Sequence, residues 1–184
     1  MNLSKEHFDM YNEYTLNINK IKREVNAIIK RQRFTARRCK RASEEDILDL
    51  EINKYEEVES INKKKIPSKI YEFSNGDIYI GKIVNGKMDG IGTYNFVEGI
   101  EYIGEFKNDM KNGLGMCTFK SGNIYIGNFL EDTINGMGQM VYKSKDEYMG
   151  NWLDGKKHGK GIYIWRDNSM YIGEFKNNKM DGYG

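Results

Sequence analysis

The side chains that most often perform catalysis are few and scattered in this sequence. The chain has two histidines, His7 and His158, and two cysteines, Cys39 and Cys117, which form no cluster. Zinc sites and nucleophile–base pairs need several such side chains close together. The segment GKKHGKG, residues 155–161, lacks the glycine–lysine spacing and the hydroxyl of a phosphate-binding loop. We therefore predict a non-enzymatic protein with no catalytic residue, no metal ligand and no cofactor.

Basic side chains are concentrated in one stretch. From Lys20 to Arg41 there are ten basic residues and one acid, whereas from Ala42 to Ser60 there are eight acids and one base. The basic stretch could bind anionic lipid, RNA or calmodulin, or could pair with the acidic stretch as a helical hairpin. The sequence favours the pairing and favours no nucleic-acid partner. The predicted contacts to an anionic lipid are Lys30, Arg31, Arg33, Arg37, Arg38, Lys40, Arg41, Lys87, Lys156 and Lys157.

A repeat of 23 residues organises the second part of the chain. Each unit begins at a tyrosine: Tyr79, Tyr102, Tyr125, Tyr148 and Tyr171. Glycines follow two, eleven and thirteen positions later: Gly81, Gly90, Gly92, Gly104, Gly113, Gly115, Gly127, Gly136, Gly138, Gly150, Gly159, Gly161, Gly173, Gly182 and Gly184. A large apolar residue stands four positions after the tyrosine and an aromatic residue seventeen positions after it: Ile83, Phe106, Phe129, Trp152, Phe175, then Phe96, Phe119, Tyr142 and Trp165.

Each unit predicts a β-hairpin. In residues 102–106, YIGEF, alternation puts the tyrosine, the glycine and the phenylalanine on one face of a strand, and residues 115–119 alternate in the same way. Polar turns separate the strands. Successive hairpins then form one antiparallel meander of about ten strands, roughly 45–50 Å long. Glycines on the aromatic face leave slots for neighbouring rings, and others, such as Gly90 and Gly122, permit turns with positive φ.

This pattern resembles the MORN repeat (membrane occupation and recognition nexus). The family signature is Tyr-x-Gly with an aromatic residue two positions on, then a polar turn into Gly-x-Gly, and residues 148–161, YMGNWLDGKKHGKG, match it well. The third unit departs, with Lys145 where other turns have Gly99 or Gly122. The resemblance covers about residues 70–184. It implies a mainly β fold, a single-layer antiparallel meander of hairpins with period 23, preceded by an α-helical region.

The first part of the chain has helical periodicity. An apolar stripe with heptad-like spacing predicts a helix of about 30 residues: Tyr11, Tyr14, Ile18, Ile21, Val25 and Ile28. A second helix is predicted from Ser43, a capping residue, to just before Pro67. Residues 1–66 are thus expected to be a charged helical hairpin or coiled coil, and residues 67–184 the repeat sheet. The predicted units are 70–78 (partial), 79–101, 102–124, 125–147, 148–170 and 171–184 (truncated).

The resemblance implies recognition rather than a reaction. Family members are scaffolds at cytoskeletal, ciliary and membrane-associated structures, and several bind a partner helix or peptide in an aromatic groove or pair as dimers. The predicted groove residues are Tyr79, Phe96, Tyr102, Phe106, Phe119, Tyr125, Phe129, Tyr142, Tyr148, Trp152, Tyr163, Trp165, Tyr171 and Phe175. Two alternatives remain: a phospholipid-binding adaptor that uses residues 20–41 and the turn lysines, and the regulatory part of a longer phosphoinositide-kinase-like protein.

The long-turn lysines are predicted to be a solvated edge, because residues 79–184 carry 13 charges of each sign: Lys87, Lys111, Lys156, Lys157 and Lys179. The sequence contains neither a signal-peptide pattern nor a long apolar run. We therefore expect an intracellular protein that is cytoplasmic, cytoskeletal or peripheral to a membrane. The last unit stops at its fourteenth residue, which predicts either a longer array or an edge covered by a second copy.

Overall fold

The computed structural model describes residues 4–44 and 69–184, with side chains for 4–33 and 69–184. Helix α1 spans Lys5–Glu44. The described strands form one antiparallel sheet in chain order: β1 Lys69–Glu72, β2 Ile78–Val84, β3 Lys87–Asn95, β4 Glu101–Lys107, β5 Met110–Thr118, β6 Ile124–Leu130, β7 Thr133–Val141, β8 Glu147–Leu153, β9 Lys156–Ile164, β10 Met170–Lys176 and β11 Lys179–Met180. The predicted meander of hairpins behind a helical region is confirmed.

A line of glycines crosses the sheet from strand to strand. Gly81 pairs with Gly92 inside the first hairpin, and Gly92 pairs with Gly104 in the next. The same pairing continues through Gly115, Gly127, Gly138, Gly150, Gly161 and Gly173. The register shifts directly after this line, for example between Gly104 and Phe106, which marks a β-bulge in each of the hairpins β2–β3, β4–β5, β6–β7 and β8–β9.

The short turns keep one geometry where the sequence changes. Gly99 and Gly122 both adopt a φ of 87°, and Lys145 at the equivalent position adopts 73°. The N–H of Lys145 donates to the carbonyl of Tyr142 at 2.8 Å, as the N–H of Gly122 does to the carbonyl of Phe119. The lysine therefore keeps the turn and accepts a left-handed backbone that glycine adopts without cost.

Alternation gives the sheet two unlike faces. One face carries the tyrosines and the other rings of the repeats, and we call it the aromatic face. On the opposite face, the position after each tyrosine is aliphatic in every repeat: Ile80, Ile103, Ile126, Met149 and Ile172. We call this second surface the aliphatic face. Ile103, Met149 and Ile172 are buried there, so something covers them.

Helix α1 covers the aliphatic face. Near its start, Tyr14 and Ile18 pack with Met149, Ile162 and Ile172 of strands β8–β10. Further along, Val25 and Ile29 pack with Ile103, beside side chains of β5 and β6. The Asn151 amide donates a hydrogen bond of 3.0 Å to the Tyr14 hydroxyl, which fixes the helix to the sheet at a polar point. The helix therefore crosses the strands and runs back along the stack.

The dimensions of the two elements explain this packing. Seven residues of α-helix rise about 10.5 Å, and one hairpin advances the sheet by about 9.6 Å. One heptad of α1 thus corresponds to about one repeat. The stripe predicted as a coiled-coil or hairpin seam packs against the sheet instead. In addition, α1 continues through Ser43 to Glu44, so no second helix begins at Ser43. The rest of that predicted helix, residues 45–66, lies outside the described residues.

Candidate partner-binding face

Nine rings form a continuous ladder along the aromatic face, and we call them the ring ladder. Each ring meets the next at a steep angle, with centroids 4.9–5.6 Å apart, in the order Tyr79, Phe106, Tyr102, Phe129, Tyr125, Trp152, Tyr148, Phe175 and Tyr171. Edge-to-face pairs of this kind add about 0.5–1.5 kcal/mol each beyond the area they bury. The ladder therefore joins each repeat to its neighbours.

The tyrosines of the ladder fit over pairs of glycines. A Cβ on Gly104 would lie 2.3 Å from the Tyr102 hydroxyl, and one on Gly115 would lie 2.5 Å from its ring. The Tyr102 hydroxyl donates to the carbonyl of Glu105 at 2.9 Å, at the bulge. Burial raises the pKa of Tyr102 well above its usual range. The other four tyrosines repeat this hydrogen bond at 2.9–3.2 Å.

The predicted groove residues divide into two groups. Eight are buried inside the ladder: Tyr79, Tyr102, Phe106, Tyr125, Phe129, Tyr148, Trp152 and Phe175. The other six are only half-buried: Phe96, Phe119, Tyr142, Tyr163, Trp165 and Tyr171. Five of these six, together with Tyr94, lie beside the ladder and form what we call the outer aromatic row: Tyr94, Phe96, Phe119, Tyr142, Tyr163 and Trp165. A partner on this face would meet the outer aromatic row first.

Two of the lysines predicted on the long turns, Lys111 and Lys157, lie instead in strands β5 and β9, and both fold over the aromatic face. The ammonium of Lys111 lies 5.6 Å from the Phe96 ring centre and 5.8 Å from that of Tyr102. The ammonium of Lys157 lies 4.6 Å from the Tyr163 ring centre and within 6 Å of three further rings. Burial lowers the pKa of Lys157. These two side chains do not form the solvated edge that the charge balance predicts, whereas Lys87, Lys156 and Lys179 are exposed.

The surroundings of the two lysines differ in charge. Lys111 forms an ion pair with Asp132 at 3.8 Å. The Asp132 carboxylate also accepts the backbone N–H of Lys111 at 2.9 Å. At the position equivalent to Asp132, two repeats on, stands Asn178, whose side-chain oxygen accepts the backbone N–H of Lys157 at 2.8 Å. Lys157 therefore has an amide where Lys111 has a carboxylate.

Sequence reasoning missed several residues of this surface. Met88, Tyr94 and Lys111 line a pocket of about 320 Å³, together with Phe96, Tyr102, Phe106, Asp109 and Asp132. Tyr94 could have been predicted from the sequence, because it occupies the repeat position of Tyr163, a predicted groove residue, three repeats earlier. Lys111 and Met88 have no such signal, since the bulge after the glycine line sets where their side chains point.

The remaining polar candidates lie apart from this face. Lys30, Arg31 and Arg33 are exposed on α1, while the side chains of Arg37, Arg38, Lys40 and Arg41 lie outside the described residues. Within the described ranges, no group of three or more His, Cys, Asp or Glu side chains could hold a metal ion. Burial raises the pKa of the Cys117 thiol to about 11, which keeps it protonated at neutral pH.

Membrane crossing by a helix has no support in the described part of the chain. Helix α1 is not apolar enough to span a bilayer. His7 stacks on Tyr183 with ring centres 5.5 Å apart, and His158 lies in strand β9 rather than in the predicted polar turn, so the two histidines do not meet. What the arrangement offers chemically is recognition by rings and cations.

Comparisons with known proteins agree with the repeat geometry. The family model described as MORN repeat matches residues 79–100, 102–124, 125–147, 148–170 and 171–184. Among solved structures, the chain is similar to a Drosophila melanogaster SAS-4 (dCPAP) TCP domain in complex with a proline-rich motif of Ana2 (dSTIL). That match has 13% identity and a TM-score of 0.39, covers 58% of each chain, and supports no functional argument. No curated protein matches the sequence.

Proposed function

Because this chain belongs to the MORN-repeat family, we propose that it is a non-enzymatic adaptor whose aromatic face binds a helix or peptide of a partner protein. The observation that supports this most is that only one of the two faces of the sheet is covered in the described part of the chain. Helix α1 occupies the aliphatic face, whereas the outer aromatic row has no covering element in the described structure and stays half-exposed. Exposed apolar surface of this kind typically marks an interaction site.

The rings of the outer aromatic row pack on one another, and Tyr94 also contacts the ladder, with its ring centre 6.4 Å from that of Tyr79. Tyr163 packs on Trp165 at 5.1 Å, and Tyr94 packs on Phe96 at 4.4 Å. Rings held in fixed orientations lose little conformational entropy when a partner docks, which favours binding. The adaptor would act at a cytoskeletal, ciliary or membrane-associated structure inside the cell, and a second copy of the chain is one candidate partner.

Selection of random peptides on the full-length chain tests this proposal. We expect selected peptides to bind at least tenfold more weakly to a Phe119→Ala/Trp165→Ala variant, because both rings lie in the outer aromatic row. A Phe8→Ala/Leu16→Ala variant is the matched control, since those two side chains are exposed on α1. Circular dichroism must show that both variants keep their fold. Peptides that bind equally well to all three proteins, or no bound peptide at all, would contradict the proposal.

A phospholipid-binding adaptor is the second candidate, and the exposed basic side chains of α1 support it. Lys30, Arg31 and Arg33 follow one another along the helix and are exposed. Such a segment gains about 1 kcal/mol per basic residue near an anionic surface. Sedimentation with phosphatidylserine vesicles should then weaken steeply with salt and be lost in a Lys30→Gln/Arg31→Gln/Arg33→Gln variant. If the chain stays in the supernatant at low salt, this candidate is excluded.

A further inference from the structure

Lys157 is a half-buried cation surrounded by rings. Its ammonium lies 4.6 Å from the ring centre of Tyr163, 5.6 Å from that of Tyr148, 5.7 Å from that of Tyr142 and 5.9 Å from that of Phe175. Rings attract a cation through their faces, but they carry no net charge that could balance it. A lysine that loses part of its hydration without a counter-charge is costly to keep.

No direct ion pair balances Lys157 among the described residues. Among the described residues, no carboxylate lies within 4.0 Å of its ammonium, whereas Lys111 has Asp132 at 3.8 Å. Asp146 is near enough to act on Lys157 through its charge. However, the Asp146 carboxylate already accepts hydrogen bonds from the Arg166 N–H at 3.0 Å and the Tyr163 hydroxyl at 3.2 Å. The ammonium of Lys157 therefore retains capacity for an incoming anion.

The fold does not require a lysine at this position. Three other repeats have an apolar residue there, namely Met88, Ile134 and Met180. A residue of that kind would cover the rings without losing hydration of a charge. The charge of Lys157 is therefore free to serve recognition.

We propose that the aromatic face recognises a partner helix that places a carboxylate side chain on Lys157. This inference rests on the proposed function and adds the chemistry of the partner. One repeat before Lys157 the equivalent residue is Ile134, at a distance of about 9.6 Å along the sheet. A helix crossing the strands advances about 10.5 Å in seven residues. The partner therefore carries an apolar residue seven positions from the acid.

The opposite face of the same sheet already shows a helix of this kind. Helix α1 crosses the strands and packs a heptad-spaced stripe, including Ile18 and Val25, on successive repeats. The sheet thus accepts heptad-spaced side chains on its aliphatic face, and the repeat advance is the same on both faces. A protein helix fits this geometry better than a lipid headgroup, because Lys157 lies among rings while Lys87 and Lys156 are exposed at the starts of β3 and β9.

Charge reversal tests the inference directly. Random helical peptides with a fixed heptad frame are selected on the full-length chain and on Lys157→Glu and Lys156→Glu variants. We expect the wild-type chain to enrich Asp or Glu at one frame position with an apolar residue seven positions away. Lys157→Glu should enrich Lys or Arg at that position. Lys156→Glu is the matched control, since Lys156 is exposed one residue away, and it should keep the preference for an acid.

A second measurement covers the case in which Lys157→Glu does not fold. A selected peptide and its Glu→Gln counterpart are compared on the wild-type chain and on Lys157→Met. On the wild-type chain the Gln peptide should bind at least about tenfold more weakly, as expected for a lost charge-assisted hydrogen bond. On Lys157→Met the two peptides should bind alike.

The outcomes separate this inference from the proposed function. Peptides that need Phe119 and Trp165 but show no preference for an acid would overturn the inference and leave the adaptor function standing. Peptides that need neither ring, or no bound peptide, would overturn both. Phosphatidylserine vesicles that bind the wild-type chain and not Lys157→Met, with no carboxylate preference among peptides, would assign Lys157 to a lipid and overturn the inference.

Discussion

Each repeat begins with a tyrosine that fills the space two glycines leave open. Tyr102 is fully buried over Gly104 and Gly115, and its hydroxyl supplies the carbonyl of Glu105 with a donor at the bulge. Any side chain on those glycines would occupy the volume of the ring. The three residues therefore work as a unit, and the spacing of two and thirteen positions is a packing requirement.

Gly115→Ala tests this unit. The added methyl group would lie 2.5 Å from the Tyr102 ring, so the ring must leave its slot and the hydroxyl loses its acceptor. We expect the free energy of unfolding to fall by about 3 kcal/mol, measured by urea denaturation. Gly86→Asn is the control, because a Cβ there meets nothing within 4 Å and Asn178 at the equivalent position adopts a φ of 73°. A similar loss in both variants would contradict the role of the ring.

Lys157→Met separates stability from recognition at one residue. Methionine keeps the apolar stem over the rings and removes the charge, as Met88 does in the first repeat. We expect the free energy of unfolding to change by less than about 0.5 kcal/mol. The substitution removes the cation–π attraction, but it also removes the cost of desolvating the ammonium, and the two effects offset each other. Thermal and urea unfolding of the two proteins give this difference. A loss of about 2 kcal/mol or more would mean that the lysine serves the fold.

Helix α1 covers one face of the sheet and leaves the other face uncovered in the described structure. Its stripe buries the aliphatic face, and the uncovered aromatic face is the surface that we propose for recognition. The side chains of Ile18 and Val25 are almost completely buried, whereas Leu16, two residues before Ile18, is 65% exposed. Stability of the docked helix thus depends on a few positions of one stripe.

Ile18→Ala and Leu16→Ala form a matched pair for this element. Removal of the buried Ile18 side chain leaves a cavity between helix and sheet, so we expect a loss of about 3 kcal/mol in the free energy of unfolding. Leu16→Ala should change it by less than about 0.5 kcal/mol. Urea denaturation followed by circular dichroism measures both. Equal effects of the two substitutions would contradict the observed docking of α1.

The sequence predicted the strands better than it predicted their partners. Regular spacing of Tyr102 and its counterparts specifies a hairpin, because alternation and turn residues are local properties. The heptad stripe of α1 fits a second helix as well as it fits a sheet whose repeats advance by a similar distance. The aliphatic row that accepts the stripe, including Ile103 and Ile172, was visible in the sequence as an Ile or Met after every tyrosine.

The candidate site was predicted in part for a similar reason. All fourteen predicted rings lie on the aromatic face, but the periodicity does not distinguish the buried ladder from the half-exposed outer aromatic row. That distinction depends on how neighbouring repeats pack, as with Trp152 and Trp165, of which one is buried and the other half-exposed. The direction of the Lys157 side chain depends on the bulge, and so was not predictable from alternation.

At the scale of the whole molecule, the aromatic face holds four fully buried tyrosines, Tyr79, Tyr102, Tyr125 and Tyr148, and these predict a characteristic response to alkali. Burial raises the pKa of Tyr142 to about 12, and raises those of Tyr102 and Tyr125 further. Tyrosine in the unfolded chain ionises near pH 10. Above about pH 10 the unfolded state therefore loses protons that the folded state keeps, and this shifts the equilibrium towards unfolding.

We expect the urea midpoint to stay constant from neutral pH to about pH 9 and to fall steeply above about pH 10. The tyrosinate absorbance of the four fully buried ladder tyrosines, Tyr79, Tyr102, Tyr125 and Tyr148, should appear together with unfolding, because burial raises the pKa of each. Both signals are measured on the same samples across the pH range. Tyrosinate absorbance that rises fully while the circular dichroism stays native would contradict the buried ladder.

The match between α1 and the sheet also limits the length of this architecture. A heptad rises about 10.5 Å and a hairpin advances about 9.6 Å, so the two periods drift apart by about 0.9 Å per repeat. After five or six repeats the offset would reach about half a hairpin, where a buried side chain of a straight helix faces the gap between two rows. The mismatch between the two periods accumulates along the helix. One uninterrupted helix can therefore cover only a small number of repeats before the spacing of its apolar residues must change.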